Sequence, residues 1–275
     1  VTQAMIMEIV TANVEELRRF HPKRLVAKQA EYETVRDALD TLQRAAQQVL
    51  QADLKQSQRA AQEIAREYPV MQTFIGYLVA DGERNARTDL EEAMGELRKV
   101  ADERLSKHSY VPQRLEEQRD EVLVQAQKLD DVVPQAEAFK DTGTWLGEAA
   151  QGYRDTTEVQ MNALAEYADI TRRSAHYLDE AATLHRAAFY VCAETLNQAA
   201  RTIDALVEGD ANHLFSRIRQ SISLINRATS DLSRDIDSAQ RGAPASELAR
   251  GMEDLLRDAE VLTEPTWPAS GDDTP

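Results

Sequence analysis

The reading turns on residues 161–206, MNALAEYADITRRSAHYLDEAATLHRAAFYVCAETLNQAARTIDAL. The pairs Met161/Leu164, Ala168/Thr171, Ala175/Leu178, Ala182/His185, Phe189/Cys192, Leu196/Ala199 and Ile203/Leu206 repeat every seven residues, at alternating steps of three and four. Residues so spaced lie on one face of an α-helix. A repeat held this long predicts a single helix, about Trp145 to Val207, on the order of 90 Å long. It also predicts coiled-coil-like packing along that face. The frequent Ala on the seam implies close approach of the neighbouring helices.

Working outward, the same periodicity recurs on both sides. A first helix is predicted over about Thr2 to Phe20, with Met5, Ile9, Val10, Val14 and Leu17 on one face and His21-Pro22 stopping it. A long helix follows from about Lys23 to Tyr68, carrying Leu25, Tyr32, Val35, Leu39, Leu42, Ala46 and Val49. Pro69 punctuates it. Val70 to Ala80 is the most apolar stretch of the chain, and Asp81-Gly82 breaks the pattern. Thr88-Asp89-Leu90-Glu91 reads as a capping box opening a helix to about His108. Val111-Pro112 starts another, to about Phe139, with Leu115, Val122, Val124, Leu129 and Val133 inside and Pro134 as a kink candidate. After the long central helix, Gly209-Asp210 is a stop. A helix from about Ala211 to Gln240 has the seam Leu214, Ile218, Ile222, Ile225, Thr229, Leu232 and Ile236. Gly242-Ala243-Pro244 is a turn, and Glu247 to Leu262 a last amphipathic helix. No alternating strand pattern bounded by turn residues occurs. The fold class is therefore all-α: an elongated bundle of long antiparallel coiled-coil-like helices. The serial division is 1–108, a long-helix region; 109–208, a helical hairpin; 209–262, C-terminal helices packing on the bundle; and 263–275, a polar Pro-rich tail expected to be disordered.

Composition narrows the function. A net charge of −16 disfavours nucleic acid, whose binding draws on clustered Lys and Arg, and disfavours an anionic membrane surface. No apolar run approaches the ~20 residues of a membrane span. The N-terminal stretch has an acid inside its apolar part and no cleavage site, so it does not read as a Sec signal. One cysteine, Cys192, excludes an intramolecular disulfide. Catalytic patterns are missing. None of the five His has a Glu three residues before it, Asp210 and His213 being the nearest approach to a ligand pair. There is no phosphate loop, no His-Glu-x-x-His and no nucleophile elbow. Cys192 and His185 share a helix face, but two turns separate them by ~10 Å, too far for a nucleophile–base hydrogen bond. Both read as buried seam residues. The chain is expected to be non-enzymatic, with no cofactor and no metal.

One segment is specific. Thr144-Trp145-Leu146-Gly147, followed by Glu148-Ala149-Ala150-Gln151-Gly152-Tyr153, stands between two long helices. It resembles the turn of the WXG family, the small helical hairpins exported by the type VII (ESX) secretion systems of actinobacteria. Trp145, Gly147, Ala149, Ala150 and Tyr153 match that pattern in type and spacing. The arms, about Val111 to Phe139 and Trp145 to Cys192, match it in length. Trp-Leu-Gly followed by small residues is also similar to the longer Esp-type secreted substrates. The resemblance implies export by a route that needs no signal peptide, to the cell surface or beyond. It implies partners that are another WXG-like protein or a second copy, and a secretion ATPase or chaperone. It also implies a Tyr-x-x-x-Asp/Glu export signal after the second arm, for which Tyr190 and Glu194 qualify; Tyr77 and Asp81 are a second match. Simple members of that family are little more than the hairpin, and Val1 to His108 has no counterpart in it. Two other readings fit the residues: a cytosolic coiled-coil scaffold or adaptor, and the helical delivery domain of a larger secreted toxin.

Overall fold

A computed structural model describes residues 30–138, 140, 143, 145–208 and 214–262. The helix expected over Thr2–Phe20, Leu25 of the next stripe, the stop at Gly209-Asp210, His213 and the tail 263–275 lie outside the described residues. The chain is all-α, with no strand among the described residues. Its helices are α1 (Ala30–Glu67), α2 (Gln72–Arg104), α3 (Val111–Ala138), α4 (Glu148–Asp204), α5 (Ser216–Arg241) and α6 (Ala243–Leu262). Short 3-10 turns at Pro69–Met71 and Ser106–His108 follow α1 and α2. No helix among the described residues is long and apolar enough to cross a membrane.

The helices form two compact units, and the units are not serial. Among the described residues, one takes Ala30 to Tyr110 together with His185–Gly242; the other takes Val111–Leu184 and the segment beginning at Ala243. The 57-residue α4 therefore contributes to both. The boundary near residue 108 falls close to a unit edge, whereas the region 109–208 is divided within α4 and the region 209–262 between α5 and α6.

In the first unit, four helices alternate in direction. Tyr32 Oη donates to Asp102 at 3.0 Å and Arg98 to Asp40 at 3.3 Å, so α1 and α2 run antiparallel. Gly82 lies against Phe215, and Arg104 reaches Asp237 at 2.7 Å, so α2 and α5 run parallel. Thr195 bonds Asp235 at 2.7 Å, and Arg217 bonds the Val207 carbonyl at 2.8 Å, which sets α5 antiparallel to the end of α4. The α1 stripe Tyr32, Val35, Leu39, Leu42, Ala46 and Val49 is buried, with Phe189, Cys192, Leu196 and Ile203 of α4 and Ile218, Ile225, Leu232 and Ile236 of α5. Each fully buried aliphatic side chain contributes about 1.5–3 kcal/mol.

The second unit has three helices. Ion pairs link Arg119 to Asp179, Asp130 to Arg172 and Lys140 to Glu158. Residue numbers rise along α3 as they fall along α4, the signature of an antiparallel hairpin. α6 lies antiparallel to α4, with Arg173 at 3.4 Å from Asp258 and Gly251 against the Tyr177 ring. Leu129, Val132, Leu164, Tyr167, Ile170, Leu255 and Ala259 form the core. α3 continues through Pro134, an exposed position four residues from its end.

Several sequence expectations need correction. Asp81-Gly82 does not break the chain: α2 runs unbroken from Gln72, and Thr88 to Glu91 lie inside it, so no capping box forms. Gly82 sits inside the helix, where a Cβ would stand 2.6 Å from Phe215 Cε2; the missing side chain makes room for a buried ring. α4 starts at Glu148, three residues after Trp145, because Gly147 has φ +100°, outside the helical region. Phe215 sits at φ 57° just before α5, which begins at Ser216; the start expected at Ala211 lies outside the described residues. That left-handed residue turns Leu214 out to 45% exposure and Phe215 in, displacing the expected seam by one position. α6 starts at Ala243, with Pro244 in its first turn where no N–H is needed. His185 is half-buried, and Cys192 fully buried.

Candidate functional site

The turn of the α3–α4 hairpin holds the segment singled out by sequence. Gly143 has φ +55° and Gly147 φ +100°, values that glycine adopts without strain. A Cβ on either would meet nothing within 4 Å, so the requirement is conformational and not steric. The Gly147 carbonyl accepts from Gln151 N at 3.1 Å, the first bond of α4. Glu148 in the opening turn suits the positive end of the helix dipole. Trp145 stands outside the helix, 47% exposed, with its ring centroid 5.6 Å from that of Tyr153 and tilted 48° to it. Such an arrangement is a favourable aromatic pair. Ala150 is fully buried, Ala149 is exposed, and Leu146 points to solvent. Thr157 is buried with its hydroxyl on the Tyr153 carbonyl at 2.9 Å. The turn therefore presents an aromatic pair on a fixed base, with part of each ring accessible.

Tyr190 and Glu194 belong to the other unit, on the final third of α4. Tyr190 is 68% exposed, and Glu194 is paired with Arg201. One helical turn apart, they share a face. Both line a shallow groove of about 680 Å³ between α4 and α5. Its far wall carries Arg227, Asp231 and Arg234, with Arg234 2.6 Å from Asp231. Sequence reading missed this wall, because the pairing of α5 with α4 is not written in either helix alone. Tyr77, of the second Tyr-x-x-x-Asp match, is 66% exposed near the start of α2.

Burial shifts two of the remaining titratable side chains. Burial pushes the Cys192 thiol up to about 12, with the Asp235 charge adding to it, so the nucleophilic thiolate is disfavoured. Burial also lowers His185, with His108 contributing. No group of three or more His, Cys, Asp or Glu among the described residues could hold a metal ion. Asp53 is the buried charge of note. It is 1% exposed on α1, accepts from Arg217 Nε at 2.8 Å, and accepts from the Ile218 backbone N–H at 2.9 Å. It caps α5 from another helix, since Phe215 at the N-cap offers no side-chain acceptor. Its role is structural.

What fold and site define is an all-α protein that presents helical surfaces. Compared with protein-family models, with curated proteins and with solved structures, the chain matches none.

Proposed function

We propose that the chain is a non-enzymatic substrate or secretion-associated protein of a type VII (ESX) system, acting through helical protein–protein contacts. The observation that carries the reading is the Trp145-x-Gly147 turn between two antiparallel arms, with Tyr153 against the Trp145 ring. Such a pair covers only part of its own apolar surface, leaving a compact aromatic feature for a partner to read. Trp and Tyr are enriched among the few residues that carry most of the binding energy at interfaces. Supporting it, Tyr190 and Glu194 are accessible on one helix face beside a groove, as a signal read by a secretion ATPase or chaperone has to be. The proposed partners are such a component and a WXG-like protein or a second copy. The proposed location is the cell surface or the medium.

The test is export from an actinobacterial host, comparing secreted with cell-associated protein. Tyr190→Ala with Glu194→Ala should abolish export while leaving the helical circular dichroism unchanged, because neither side chain is in the core. Trp145→Ala should reduce export and lower stability by about 1 kcal/mol through loss of the ring pair. Unchanged export of the Tyr190/Glu194 variant would refute the signal. A wild-type chain that stays in the cytosol would refute the reading in favour of a scaffold or adaptor.

A further inference from the structure

We draw no further inference here: the strongest candidate, the exposed apolar surface at the outer end of the α1–α2 hairpin around Ile64, Val70 and Phe74, carries nothing because nothing among the described residues shows what covers it.

Discussion

Replacing Asp53 by Ala tests whether α5 depends on a cap supplied by α1. The carboxylate satisfies two donors at once: Arg217 Nε at 2.8 Å and the Ile218 N–H at 2.9 Å. Losing the cap alone costs about 1 kcal/mol. Leaving a guanidinium that is only 11% exposed without its counter-charge adds about 2 kcal/mol. Arg217 retains the Val207 carbonyl at 2.8 Å and Gln56, which keeps the second figure below that of a fully stranded charge. The total of about 3 kcal/mol corresponds to a fall of about 100-fold in local protection. Hydrogen exchange of peptides spanning 216–225 reads this directly and does not assume that two compact units unfold as one. Asp53→Asn keeps an acceptor for Ile218 and loses only the charge, so about 1–2 kcal/mol is expected. Combining it with Arg217→Gln should cost less than the sum of the two single changes. A fall of less than about fivefold for Asp53→Ala would refute the cap, because both donors would then have found other partners at no cost.

Two glycines in one helix should respond with opposite signs. Gly95→Ala, with nothing within 4 Å of the new Cβ, should stabilise α2 by about 0.5–1 kcal/mol, whereas Gly82→Ala, driven to 2.6 Å from a buried Phe215 ring, should destabilise by about 1–3 kcal/mol in thermal melts. Alkali should weaken the same unit. Burial and the hydrogen bond to Asp102 raise Tyr32 from 10.0 to about 12, and burial chiefly raises Cys192 from 9.0 to about 12. Both are held protonated by the fold, so their stabilisation is complete below about pH 9 and lost as pH rises toward about 12; melts of Tyr32→Phe with Cys192→Ala should fall less steeply across that window. Native Cys192 should meanwhile react with a thiol reagent no faster than the unit opens, and prompt labelling at neutral pH would contradict its burial.

Periodicity made the helices legible, and most of their inward faces. Every residue of the seven-pair α4 seam is buried or half-buried. What one stripe could not disclose is that α4 has neighbours on more than one side: Ala163, Tyr167, Ile170 and Ser174 form a second buried row that the heptad reading left outside. Nor could local rules recognise a glycine kept for a ring 133 positions away, since Gly82 looks like a helix breaker until Phe215 is placed against it. The Trp145 turn was readable because all of its parts lie within nine residues. The groove beside Tyr190 was not, because its second wall comes from α5. Asp53 falls between these cases. It continues the α1 stripe of Leu42, Ala46 and Val49 at the next inward step, and a carboxylate on an apolar seam must meet a donor there or forfeit burial. The sequence thus announced that a partner existed. Only the antiparallel pairing of α1 with α5 could choose Arg217, 164 positions away, and with it the open helix end that Phe215 leaves uncapped.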